Sequence, residues 1–97
     1  MDVNRTEKPP RAILASILDL GEADNLLATL RELHSAPEPY AVDGSAVTRV
    51  ATPCIQILLG ALKSKDGINL VAPSLVLLET IDELGLTSQF EERIVLE

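Results

Sequence analysis

Residues 47–59 constrain the fold of this chain more than any other stretch. An apolar strand pattern runs into Thr52 and Pro53, and the positions that follow are apolar on almost every side. A threonine side chain can accept a hydrogen bond from a free helical N–H, and proline loses no hydrogen bond at the first helical position. The stretch therefore predicts a strand, a tight turn and a buried helix capped by Thr52. Since a helix start carries free N–H groups and a positive dipole end, we expect any working surface there.

The composition narrows the class of partner. The 97 residues are 46% hydrophobic but only 2% aromatic, which predicts one domain with an aliphatic core. A formal net charge of −7 and the shortage of aromatic side chains for stacking argue against nucleic acid. The single cysteine, Cys54, excludes an internal disulfide, and no apolar run is long enough to span a bilayer. We therefore expect a cytoplasmic protein that binds another protein, needs no cofactor and does not insert into a membrane.

The pattern along the chain separates a leader from a domain. Residues 1–10 are polar and end in two prolines, so we expect a flexible leader there and a single domain over residues 11–97. A strand is predicted near residues 12–18, with a kink at Ser16. Further strands are predicted near residues 40–42, 47–50 and 68–71.

Three helices have start signals in the sequence. These are Asp19, which has the capping-box spacing to Glu22, then Thr52, and then Ser74. Gly85 marks the end of the third helix, and a short helix followed by an edge strand is expected after it. The alternation of strands and helices predicts an α/β fold. Its small mixed sheet of about four strands is covered mainly on one face by three to four helices.

His34 and Cys54 have reactive groups, but no further metal ligand or catalytic base lies near either of them in the sequence. His34 is the only histidine, and we expect it at the surface because no Cys or His lies at metal-ligand spacing from it. Cys54 falls in the first turn of the central helix, a place that lowers a thiol pKa, so an enzyme with Cys54 as nucleophile is one hypothesis. We favour a small buried hydrophobe, since free cysteine is usually buried and no histidine is near it in sequence.

Other polar positions have two interpretations each. Asp19 and Asp43 lie near predicted strand ends and could hold a metal ion or a proton, but a helix cap and a turn explain them more simply. Thr52 is a candidate phosphoacceptor at a helix start, or only a cap. An acidic stripe on the third helix is either a docking patch or a solvated face. The stripe comprises Glu79, Asp82 and Glu83.

Several segments, taken in order, resemble a STAS domain. Residues 18–23 resemble the segment that leads into the first helix of that family. Residues 42–50 resemble its strand and loop of the form hydrophobic-Asp-x-Ser-x-Val. Residues 51–58 fall where the family has Asp-Ser-Ser/Thr-Gly-Leu-x-x-Leu, and residues 73–74 and 84–86 match its closing helix. The resemblance implies a module that binds partner proteins and is not an enzyme.

The resemblance, which covers about residues 12–90, also assigns a regulatory position. Many STAS domains are switched by a kinase that phosphorylates the serine after the aspartate, and that serine position falls on Thr52. The aspartate position falls on Ala51, the following serine or threonine on Pro53 and the glycine on Cys54. A hydroxyl therefore survives at the phosphoacceptor position, while its neighbours differ from the family pattern.

Residues 49–58 resemble most closely the small chemotaxis-operon STAS proteins of the CheS kind. Such proteins associate with the histidine kinase CheA and assist dephosphorylation of a response regulator. The resemblance therefore implies a chemotaxis regulator in which the loop before the central helix and the helix start dock on CheA. The residues expected at that surface are Ser45, Thr48, Arg49, Thr52 and Gln56, with Pro53 stiffening the turn.

Two other functions remain open for a STAS domain of this kind. One is an anti-anti-sigma factor that is switched by phosphorylation at Thr52. The other is a subunit of a lipid-transport ATPase, since stand-alone STAS proteins also occur there.

Overall fold

The computed structural model of the protein describes residues 11–36, 38–64 and 67–96. The predicted leader, residues 1–10, lies outside the described residues. The main sheet has four parallel strands, which follow one another across the sheet in chain order. They are β1 (Arg11–Ile13), β3 (Ala41–Asp43), β5 (Asn69–Val71) and β6 (Ile94–Val95). A separate parallel pair joins β2 (Ile17–Leu18) to β4 (Arg49–Val50).

Four helices connect these strands in the described part of the chain. They are α1 (Ala23–His34), α2 (Thr52–Ser64), α3 (Leu75–Glu83) and α4 (Thr87–Phe90). Short 3-10 turns precede α1 and follow α4, at Leu20–Glu22 and Glu91–Arg93. The predicted α/β class is confirmed, and so is the small helix followed by an edge strand at the end of the chain.

The helices cover one face of the sheet, as the sequence predicts. Ala12, Val42, Leu70 and Ile94 lie in register across the four strands, and the first three of them are buried. Successive side chains of a strand point to opposite faces, and Ile13 on the other face is 72% exposed. Each crossover advances by one strand in the same direction, so crossovers of one hand place every helix on the same side.

The core between the sheet and the helices is aliphatic. The side chains of α2 that reach it are Cys54, Ile55, Leu58 and Leu62. They are at most 1% exposed. Tyr40 and Phe90 are the aromatic members of the core, and no polar or charged residue is buried among the residues that the structure describes. The burial of these four apolar side chains makes α2 a central part of the hydrophobic core.

The predicted start signals before α1 and α3 and the predicted stop signal after α3 are confirmed. The Asp19 carboxylate accepts a hydrogen bond from the Glu22 N–H at 3.1 Å and starts the 3-10 turn that leads into α1. The Ser74 hydroxyl accepts from the Leu77 N–H at 3.1 Å at the start of α3. Gly85, with a φ of +74°, follows the end of α3, where a left-handed residue terminates a helix.

The prediction that Thr52 caps α2 is wrong. The helix begins at Thr52 itself, and the carbonyl oxygen of Ala51 accepts from the N–H groups of Cys54 and Ile55 at 3.0 and 3.3 Å. Ala51 therefore occupies the cap position, one residue earlier than the Thr-Pro signal indicates. The Ala51 N–H donates to Leu18 O at 2.8 Å, so pairing with the strand β2 fixes where the helix begins.

Candidate functional site

The chain leaves β3 through a tight turn that Asp43 organises. The Ser45 N–H and the Ser45 hydroxyl both donate to Asp43 Oδ1, at 2.9 and 2.7 Å, and Arg11 Nη1 donates to Asp43 Oδ2 at 3.1 Å. The hydrogen bonds from Ser45 and the contact with Arg11 hold the pKa of the Asp43 carboxyl below its usual range. The Ser45 hydroxyl is thus engaged within the turn, and Asp43 has the turn role expected for it rather than a free carboxylate.

The next part of the segment is tied to the loop between β1 and β2. The carbonyl oxygen of Ser16 accepts from the Thr48 N–H at 2.7 Å, from the Thr48 hydroxyl at 3.0 Å and from the Arg49 N–H at 3.2 Å. The single strand predicted near residues 12–18 is thus two strands in separate sheets, β1 and β2, and Ser16 between them anchors the segment that precedes α2. Because three donors converge on one acceptor, the backbone around Thr48 and Arg49 is fixed rather than free to move.

Four of the predicted surface residues are presented to solvent beyond this anchor. Arg49, Thr52, Pro53 and Gln56 are all exposed, and they run from β4 into the first turns of α2. Within the described residues, the side chains of Arg49, Thr52 and Gln56 make no hydrogen bond or ion pair. Ser45 and Thr48 are exposed as well, but their hydroxyls are used inside the protein. The structure thus divides the predicted set into two residues that shape the loop and four that face outward.

Cys54 points away from this surface. The residue is fully buried, and its Sγ donates to the carbonyl oxygen of Asp19 at 3.5 Å. Burial raises the pKa of the Cys54 thiol, and the negative charges of Asp19 and Glu22 raise it further. These surroundings oppose a thiolate, so the position of Cys54 in a helix start does not make it the nucleophile of an enzyme.

The prediction that His34 is a surface side chain is wrong. The ring is half-buried, with Nδ1 2.6 Å from the Tyr40 hydroxyl and Nε2 2.6 Å from Ser64 Oγ. Ser64 Oγ also lies 3.1 Å from Ala61 O, to which it can donate, so both ring nitrogens of His34 and the Ser64 hydroxyl are engaged. The tautomer of the ring decides which atom donates in each of the two His34 contacts. The sequence gives no sign of this contact, since Ser64 is 30 residues away from His34.

An open groove with a volume of about 330 Å³ runs between α1 and α2, and we refer to it as the α1–α2 groove. Its lining includes Gln56 from the predicted surface and Arg31 and His34 from α1. The sequence alone does not predict this groove. The available signal was helical spacing, because Leu27, Arg31 and His34 fall on one side of a helix, as do Gln56, Gly60 and Ser64. Which two helix faces meet could not be read from that spacing.

Residues 11–36, 38–64 and 67–96 lack two further features, a metal-binding cluster and a membrane-spanning helix. No three Cys, His, Asp or Glu side chains of these residues come together in a group that could hold a metal ion. None of the helices there is long and apolar enough to cross a membrane.

Comparison with known proteins gives one match. A family model described as "Mlab, STAS domain" matches residues 1–96. No curated protein and no solved structure matches the chain. The family match spans every element of the described fold, including the Asp43 turn, the anchor at Ser16 and the start of α2.

Proposed function

The chain belongs to the STAS family, and on that basis we propose that it is a non-catalytic regulatory module of bacterial signalling. The module is a chemotaxis regulator that binds the histidine kinase CheA and aids dephosphorylation of a response regulator. STAS domains are generally non-catalytic and commonly mediate interactions between proteins. The proposal that CheA is the partner rests on the resemblance of residues 49–58 to the chemotaxis-operon members of the family.

The observation that carries the proposal is an outward-facing polar surface on a fixed backbone. Arg49, Thr52 and Gln56 expose donors and acceptors without internal partners in the described residues, and Pro53 lies between them. The hydrogen bonds to Ser16 O and to Asp43 hold the preceding loop in place. A surface that is already ordered loses little conformational entropy on binding, which favours affinity. We call the four exposed residues the docking surface.

The test is binding to the CheA encoded in the same genome. We expect the double variant Arg49→Glu with Gln56→Ala to weaken binding at least about tenfold, because interface arginines often carry much of the binding energy. The matched control is Lys63→Glu with Gln89→Ala, which changes the same kinds of side chain at a hydrogen-bonded pair outside the docking surface. Unchanged affinity of the first variant would remove this surface as the CheA-binding site.

The anti-anti-sigma alternative is supported by the state of the Thr52 side chain. Its hydroxyl is exposed at the first residue of α2 and has no hydrogen-bond partner in the described residues. A phosphate there would be stabilised by the helix dipole. This function predicts incorporation of labelled phosphate by a serine kinase encoded beside the gene. The label is expected to be absent in Thr52→Ala and retained in Thr29→Ala, which removes another exposed threonine.

The other alternative, a STAS subunit of a lipid-transport ATPase, predicts a different partner. The tagged protein would copurify with a membrane ATPase from detergent extracts of its own cells. The Arg49→Glu, Gln56→Ala variant and its Lys63→Glu, Gln89→Ala control show whether that complex uses the same docking surface. Copurification with the ATPase and no binding to CheA would decide for this function over chemotaxis.

A further inference from the structure

The α1–α2 groove adjoins the docking surface and shares Gln56 with it. Leu27 from α1 and Ile57 and Ala61 from α2 contribute to an apolar lining. At Gly60, a Cβ atom would meet nothing within 4 Å, so the missing side chain leaves the groove open at its middle. Ligand pockets in proteins have volumes of roughly 300–1,000 Å³, are mostly apolar and contain a few polar groups, and a groove of about 330 Å³ falls at the small end of that range.

The polar groups at one end of the groove are already satisfied. His34 bonds to the Tyr40 hydroxyl and to Ser64, and Ser64 in turn donates to Ala61 O. Both ring nitrogens of His34 and the single hydroxyl proton of Ser64 are thereby engaged. His34 and Ser64 therefore offer a ligand their carbon surface rather than a new hydrogen bond.

Arg31 is the charged residue of the groove lining, and no acidic group pairs with its guanidinium in the described part of the chain. Its side chain is exposed and makes no hydrogen bond or ion pair in the described part of the chain. The residues three and four positions away in the sequence are Leu27, Ala28, His34 and Ser35, none of which is acidic. By contrast, Arg11 pairs with Asp43 and Lys63 donates to Gln89. A guanidinium presents a fork of N–H donors that fits a carboxylate through two parallel hydrogen bonds.

We propose that the α1–α2 groove binds an alkyl carboxylate, with the hydrocarbon chain on the apolar lining and the carboxylate on Arg31. Leu27 and His34 of the groove lining are seven positions apart on α1, or about 10 Å along the helix, which matches an extended chain of about eight carbons. The negative charge of the ligand complements the guanidinium of Arg31, which makes no ion pair among the described residues. The proposal holds for any partner of the docking surface, with which the groove shares Gln56.

The test is a titration of the ¹⁵N-labelled protein with octanoate, below the concentration at which octanoate forms micelles. We expect saturable shifts of the Gly60, Ala61 and Arg31 amide signals, with a dissociation constant of roughly millimolar for a ligand of this size. Octylammonium, which has the same chain and the opposite charge, is expected to bind at least about tenfold more weakly. Equal binding of the two amphiphiles, or the absence of saturable shifts, would overturn the proposal.

Three variants separate recognition of the carboxylate from burial of the chain. Arg31→Gln is expected to weaken octanoate about tenfold, while Lys63→Gln removes an equal charge outside the groove and leaves octanoate binding unchanged. Gly60→Leu fills the groove and is expected to abolish binding, with the dispersed amide spectrum showing that the fold is intact. Full octanoate affinity in Arg31→Gln would contradict the site.

Discussion

Cys54 shows how the position of a residue decides its chemistry. It lies in the first turn of α2, but it is fully buried and has a raised pKa because of burial and the charges of Asp19 and Glu22. Because the thiolate is the reactive form, we expect iodoacetamide at neutral pH to modify Cys54 at least about tenfold more slowly in the folded protein than in urea. Mass spectrometry over time measures both rates. Equal rates would show an accessible, reactive thiol and would return the nucleophile hypothesis to consideration.

Asp43 makes the free energy of unfolding depend on pH. Its pKa is lowered from the ordinary value of 3.8 by the Ser45 N–H, the Ser45 hydroxyl and Arg11. A carboxyl whose pKa is lower in the folded state stabilises the fold above its unfolded pKa, and this contribution is lost as the pH falls through the folded pKa. We expect Asp43→Asn to lower the free energy of unfolding by about 1 kcal/mol near neutral pH.

Urea unfolding at a series of pH values from neutral to about 3 checks the Asp43 prediction. The difference between the wild type and Asp43→Asn is expected to shrink toward the acidic end, because Asp43 is protonated first in the unfolded state and only at lower pH in the folded state. Asp24→Asn, which changes an exposed carboxylate on α1, is the control for general charge effects. A difference that stays constant with pH would assign the effect to shape rather than to charge.

At the scale of elements, His34 joins the end of α1 to the end of α2 and to the residue before β3. Tyr40 is only 1% exposed, and His34 is the hydrogen-bond partner of its hydroxyl. We expect His34→Ala to lower the free energy of unfolding by about 2–3 kcal/mol, since a buried hydroxyl without a partner is costly. In Tyr40→Phe, the further cost of His34→Ala is expected to be smaller. Additive effects in this double-mutant cycle, measured by urea unfolding, would contradict the coupling.

Substitution of alanine for glycine is expected to have opposite effects on the free energy of unfolding at Gly60 and at Gly44. Gly60 is exposed within α2 with open space at its Cβ position, so we expect Gly60→Ala to raise the free energy of unfolding by about 0.5–1 kcal/mol. At Gly44, an added Cβ would lie 2.7 Å from Leu77 Cδ2, and we expect Gly44→Ala to lower it by about 1–3 kcal/mol. Thermal and urea unfolding measure both changes. A destabilised Gly60→Ala would show that α2 is strained at this position.

At the scale of the whole molecule, the sequence predicts what depends on neighbouring residues and misses what depends on distant ones. Asp19 caps the 3-10 turn that leads into α1 and Ser74 caps α3, as expected, because each cap involves residues only three positions apart. Thr52 does not cap α2, since pairing of Ala51 with Leu18 moves the helix start. The His34 contacts and the α1–α2 groove arise only when the two helices pack, and spacing along each helix cannot say which faces meet.

The excess of acidic residues predicts that the stability of the protein depends on the salt concentration. The net charge is −7, and Glu79, Asp82 and Glu83 are exposed together on α3. Like charges at such spacing repel one another in the folded state, and dissolved salt screens them. We expect the free energy of unfolding to rise by about 0.5–1 kcal/mol between low salt and about 0.5 M NaCl. The triple variant Glu79→Gln, Asp82→Asn, Glu83→Gln is expected to show a smaller rise, because it removes three negative charges. It keeps the oxygen atom at residue 82 that accepts from Thr87. An equal rise in both proteins would place the repulsion elsewhere on the surface.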